Sequence, residues 1–220
     1  MILAGFFIGN ALVAELIGGK IFQFGPFTLS LGVIAWPFVF VISDLVNEFF
    51  GRSGVFRLTW VCAALILYTF ILSWLGIQIP AVSFSPVSDD AFSNVFGQSL
   101  WIMVGSLTAF IVSQGVDVAV FWAVRNRTQA RWLWARSTGS TLVSQLVDTY
   151  IVMGIAFLLP GKFTFMQYLQ VATSNYVFKF AVAVASTPLI YLGHNLIDKF
   201  VGDEHAHKMI EDAARQEKEA

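Results

Sequence analysis

Apolar residues come in runs of about 20 between polar or Gly/Pro breaks, the length at which a helix crosses a hydrocarbon core of about 30 Å. Six such runs fall near residues 1–18, 28–50, 54–76, 97–123, 138–160 and 167–192. They are continuous rather than alternating, which excludes the strands of a membrane barrel. The expected fold is therefore an all-α polytopic membrane protein: a six-transmembrane-helix bundle over residues 1–201, then a charged cytoplasmic helical tail over 202–220. The first run is the weakest, since Asn10 and Glu15 interrupt it. No basic stretch precedes it and no cleavage site follows, so it reads as a retained span.

Composition sharpens this. With 57% of 220 residues hydrophobic and only 12% charged, much of the chain must face lipid. The net charge of −1 gives no case for nucleic acid. The placement of cations matters more. Arg52 and Arg57 flank the second loop, Arg125, Arg127, Arg131 and Arg136 fill the fourth, and Lys199, Lys208, Arg215 and Lys218 follow the last span. The alternate loops hold only Lys20 and Lys162, with Asp89 and Asp90 between them. By the positive-inside rule both termini are cytoplasmic, and an even span count, which puts the two termini on one side, agrees.

Candidate chemistry lies in the spans. A charged side chain at a helix centre costs about 2.5–3.5 kcal/mol on insertion scales, so it turns inward and finds a partner. Asp44, Asp117, Asp148 and Lys179 are such residues, with Glu15 and Glu48 nearer the ends. Lys179 is the basic residue deepest in a span, and by depth Asp148 is its first-choice counter-charge. Ser113-Gln114-x-x-Asp117 in span four recurs as Ser144-Gln145-x-x-Asp148 in span five, a five-residue echo that suggests a weak internal repeat. Each set lines one face of a helix. Span five adds Ser140 and Thr141, and span six adds Asn175, Tyr176 and Lys179. Amides and carboxylates present fixed planes of donors and acceptors, which suit a flat heterocycle better than a simple ion. The plainer reading of Ser113, Ser144 and Thr141 is glue between helices.

Asp44, Glu48, Arg52 and Arg57 form a separate group at the cytoplasmic end of span two, either an inner gate or an interfacial ion-pair cluster. Pro37 and Pro188 would each remove a helix hydrogen bond. Trp36, Phe38 and Tyr176 are candidates to stack on a planar ligand. Cys62 is the single cysteine, and His205 and His207 point to different sides of a helix, so no metal or other cofactor is expected. No P-loop, nucleophile elbow or His-Glu-x-x-His occurs, and no histidine lies inside a span, which argues against an enzyme.

Taken in order, several of these residues resemble the queuosine precursor transporters, also called the vitamin uptake transporter family. They are Asn10, Pro37-Phe38 with Asp44, Glu48 and Gly51, Ser113-Gln114-x-x-Asp117 ahead of Phe121, Ser140-Thr141 through Asp148 and Ala156-Phe157, and Tyr176-x-Phe178-Lys179. The resemblance implies import of 7-deazaguanines such as preQ0, preQ1 or queuine across the inner membrane, for tRNA queuosine modification. It also implies a homodimer, with no interface legible here. On this reading Asn10, Gln114, Asp117, Ser140, Gln145, Asp148, Asn175, Tyr176 and Lys179 line the substrate site. Asp117 or Asp148 accepts the paired N–H donors of the guanine-like edge, and Gln114, Gln145 or Asn175 donates to the ring carbonyl. The alternative is a substrate-binding membrane subunit that docks on a separate ATP-driven module, for which Gly5 and Gly9 offer a close-packing face.

Overall fold

The computed structural model describes residues 2–128, 133–185 and 202. Residues 129–132 with Arg131, residues 186–201 with Pro188, and the charged tail beyond Gly202 lie outside the described residues, as do the side chains of Asp44, Glu48, Arg52, Gln114, Asp117, Ser140 and Thr141. The described chain is mostly helical. Helix α1 spans Ile2–Ile17, α2 Trp36–Gln78, α3 Asp89–Thr128, α4 Leu133–Met153 and α5 Phe165–Ala185. Strands β1 (Ile21–Phe24) and β2 (Phe27–Ser30) and a 3-10 turn (Leu31–Ile34) lie between α1 and α2, and a π-helical turn (Gly154–Leu158) closes α4.

Among the described residues two helical segments are long and apolar enough to cross a membrane. Ser53–Gln78 has 26 residues at mean hydropathy 2.0, and Asp89–Ser113 has 25 at 1.7. Only 11% and 28% of their apolar windows are buried inside the protein, whereas the core helix of a soluble protein would be mostly covered. Ile2–Ile17 and Leu142–Leu158 are apolar but shorter.

The hairpin corrects the all-α expectation and the start of the second span at residue 28. Ile21-Phe-Gln-Phe and Phe27-Thr-Leu-Ser pair antiparallel, with Phe24 opposite Phe27, so that Gly25 and Pro26 alone form the turn. Gly25 has φ +56°, which glycine adopts without a Cβ clash, and Pro26 supplies the fixed negative φ that follows. Helix α2 begins only at Trp36, which places Pro37 in its first turn, where its missing N–H removes no bond. The helix is interrupted instead at Gly51, whose φ of 68° and ψ of −179° break α2. That backbone region is essentially confined to glycine. The expected boundary between spans two and three thus falls at this residue.

Helix α3 starts at Asp89, ahead of the expected 97. Ser88 Oγ accepts from Ala91 N at 3.3 Å, and Asp89 and Asp90 occupy the first turn, an N-cap with acids at the positive end of the helix dipole.

The chain divides into two compact units. The first holds Met1–Gly18, Leu31–Ile71 and the described residues from Phe178. In it α1 packs on the 3-10 turn so closely that a Cβ at Gly32 would lie 2.8 Å from the Ala14 carbonyl. Glu15, expected near a span end, is buried here. The second unit holds Gly19–Ser30 and Leu72–Val177. Its core is Ile102 of α3, Met153, Ala156 and Phe157 around the π-turn, and Val171 and Ala172 of α5.

Candidate functional site

In the second unit α3 and α4 run antiparallel in close contact. A Cβ at Gly105 would lie 3.1 Å from the Val152 carbonyl, and Gln98 Nε2 donates to the Ala156 carbonyl at 2.8 Å. Continued at that register, Ser113 comes level with Ser144 and Asp117 with Ser140. By that backbone register the two copies of the Ser-Gln-x-x-Asp echo overlap at the level of their serines. Their aspartates lie on either side, about 12 Å apart along the axes at 1.5 Å per residue, too far to share one edge of a small heterocycle.

The α4 copy is the described one. Ser144 is buried, Gln145 and Asp148 are half-buried on successive turns, and Thr149 Oγ1 donates to the Gln145 carbonyl at 2.9 Å. Tyr176 of α5 donates its hydroxyl to the Leu142 carbonyl at 3.3 Å, joining α5 to the turn of α4 that precedes Gln145. On α3, Ser113 Oγ donates to the Phe110 carbonyl at 3.3 Å, a back-bond within its own helix.

Asn175 has a structural use. Its Oδ1 accepts from Ser30 N at 3.3 Å and its Nδ2 donates to the Val171 carbonyl at 2.8 Å, with 1% of the residue exposed. Asn175 thus fastens the end of β2 to α5. Nearby, Gln170 Nε2 donates to Thr28 Oγ1 at 3.2 Å and Thr28 Oγ1 to Gln23 Oε1 at 3.2 Å.

Of the expected site residues in the first unit, three have described side chains. Lys179 places its ammonium 4.5 Å from the centroid of the Trp36 ring, a cation–π geometry. Asn10 is half-buried on α1, where its Nδ2 donates to the Phe6 carbonyl at 2.8 Å. Arg57 is exposed. Asp44, Glu48 and Arg52 of its expected cluster, and the substrate candidates Gln114, Asp117 and Ser140, are placed by backbone alone.

Gln98 and the aromatic group around it went unread in the sequence. Pro160 has no N–H to return to the Ala156 carbonyl four residues before it, and Gly161 N donates instead to Leu158 O at 3.0 Å. Ala156 is fully buried, so Gln98 satisfies an acceptor that the helix cannot. Gly19 makes room, since a Cβ there would lie 2.9 Å from Gln98 Cγ. Beside this, Phe157 stacks on Phe163 at 4.6 Å, Tyr150 and Thr173 hydroxyls meet at 2.7 Å, and Tyr168 donates to the Tyr150 carbonyl at 3.2 Å. Proline two residues past a π-turn was the available signal.

Two long apolar helices left largely uncovered by the rest of the described protein are consistent with a helical membrane transporter. Residues 30–193 match the family described as "Putative vitamin uptake transporter", and the chain belongs to this family, that of the queuosine precursor transporters. It is 35% identical over 193 residues to a Bacillus subtilis protein named "Probable queuosine precursor transporter", covering 86% of this chain and 82% of the relative. It is 29% identical over 160 residues to the Escherichia coli "Queuosine precursor transporter", covering 72% and 69%. No solved structure matches the chain.

Proposed function

We propose that this chain is a six-span importer of queuosine precursors, taking 7-deazaguanines such as preQ0, preQ1 or queuine across the inner membrane with both termini in the cytoplasm. The 35% identity to the Bacillus subtilis relative over 86% of the chain carries this reading. The chemistry of α4 and α5 supports it. Asp148 accepts the adjacent ring and exocyclic N–H donors of the guanine-like edge as a pair. Gln145, one turn away, donates to the ring carbonyl, and Tyr176 lies against the ring face. Asp117, on the far side of the paired serines, forms a second station on the path.

Thermal stabilisation of the purified protein by preQ0, preQ1, queuine, guanine and riboflavin tests the substrate class, because a ligand bound only by the folded state raises its stability. The 7-deazaguanines are expected to give the largest shifts, and a larger riboflavin shift would refute the reading. Asp148→Asn should weaken binding on the order of tenfold or more, through loss of a charge-assisted pair. Wild-type affinity in both Asp148→Asn and Asp117→Asn would remove the carboxylates from the site.

A second reading, a binding subunit for a separate ATP-driven module, has one observation in its favour. Ile2, Gly5, Phe6, Gly9, Asn10 and Val13 line an open groove along α1, and among the described residues a Cβ at Gly5 or Gly9 meets nothing within 4 Å. Transport by the purified chain alone in vesicles decides against it.

A further inference from the structure

An α-turn closes on the fourth residue and a π-turn on the fifth, so a π-turn holds one residue more. One residue is about 100° of helix rotation. In α4 the turn Gly154–Leu158 closes from Leu159 N to Gly154 O at 2.9 Å. It sits between two parts of the chain with different tasks. Beyond and within it, Ala156 and Phe157 are anchored in the core at 0% and 3% exposure. Before it lie Ser144, Gln145 and Asp148. With the anchor fixed, the turn sets which side of α4 those residues occupy.

One side chain from outside the helix holds the turn. Pro160 leaves the Ala156 carbonyl without its α-helical donor, Gly161 N is engaged by Leu158 O, and Gln98 Nε2 supplies the bond at 2.8 Å. Gln98 is itself confined by Gly19 on one side. Gln98 thus makes a short hydrogen bond to a fully buried carbonyl at the position where proline has removed the α-helical donor.

We propose that Gln98 is a positioning residue for the transport site, acting through the Ala156 carbonyl to fix the phase of α4 and thereby the direction in which Gln145 and Asp148 face. Its consequence for binding rests on the transport reading above; the phase itself does not. Gln98→Leu keeps the volume and removes the donor. Gly19→Ala presses on Gln98 Cγ from the other side and leaves its amide intact.

The experiment combines two readouts on the full-length purified protein. Nitroxide labels are placed singly at positions 143 to 147 after replacement of Cys62, and their mobility is compared. In the native sequence the least mobile label is expected at Ser144, with higher mobility at the exposed Val143 and Leu146. In Gln98→Leu, and to a smaller extent in Gly19→Ala, the minimum moves to a neighbouring position. Affinity for preQ0 and preQ1, measured on the folded fraction, falls on the order of tenfold. A merely structural role would lower the apparent Tm while leaving both the mobility pattern and the affinity of the folded fraction unchanged, and that result overturns the proposal. So does lost affinity with an unmoved minimum, or a moved minimum with native affinity. If the native protein binds none of the 7-deazaguanines, the substrate reading fails by itself, and the mobility scan alone decides whether Gln98 sets the phase.

Discussion

Helices α2 and α4 are both interrupted, and they are interrupted in opposite ways. In α2 the break is a single residue, Gly51, at φ 68° and ψ −179°. Glycine reaches that conformation unaided, so the break needs no partner and is written entirely at one position. In α4 the break is the π-turn Gly154–Leu158, and its Ala156 carbonyl is completed by Gln98, 58 residues away in sequence. A local break is a property of a residue. A partnered break is a property of the packed unit, and it can be undone from either side.

The largest effect is expected where no partner can compensate. Gly51→Val imposes a β-branched side chain on a region that even alanine avoids, and should cost about 3 kcal/mol. The apparent Tm of the purified protein should fall on the order of 10 °C. If Gly51→Val and Gly51→Ala are tolerated with less than about 1 kcal/mol lost, α2 is continuous and the contrast with α4 disappears.

A partnered break should instead be repairable. Gln98→Leu leaves a buried carbonyl unsatisfied, at a cost of about 1–3 kcal/mol. Pro160→Ala gives the same carbonyl a backbone donor of its own. In the Gln98→Leu background it should therefore recover part of the lost stability, whereas in the native background it should not. A double-mutant cycle on urea or thermal unfolding reads this coupling directly. Additive effects would show that Gln98 and Pro160 act on different groups.

How far each feature was legible follows the same division. The described helices overlap the apolar runs, and Gly51 lay at the expected boundary between the second and third. The membrane-length segments Ser53–Gln78 and Asp89–Ser113 correspond to two of those runs. The hairpin was also written locally, in the alternation Ile21-Phe-Gln-Phe and Phe27-Thr-Leu-Ser about Gly25-Pro26. It was masked because counting apolar residues absorbs a short strand into the helix that follows. That omission had a consequence at the site. Without a strand end in view, the sequence offers a buried asparagine in a span no structural task, and Asn175 has one in accepting from Ser30 N. Gln98 carried no signal of its own. Its role exists only once Pro160 has removed a donor and the antiparallel pairing of α3 and α4 has brought the amide to the carbonyl.

The hairpin offers the finest test, because it contains both kinds of bond within ten residues. Asn175→Leu strips the buried Ser30 N–H of its acceptor and should cost about 2 kcal/mol. Thr28→Val removes the acceptor of Gln170 Nε2, in a pair that is exposed. Water replaces a bond lost at an exposed site, so the cost should stay below about 0.5 kcal/mol. Hydrogen exchange of the Leu29 and Ser30 amides separates the two: exchange should accelerate strongly in Asn175→Leu and hardly at all in Thr28→Val. Equal acceleration would mean that the hairpin is held as a whole by its sheet bonds. Asn175 would then contribute no more to the hairpin than an exposed side-chain pair does.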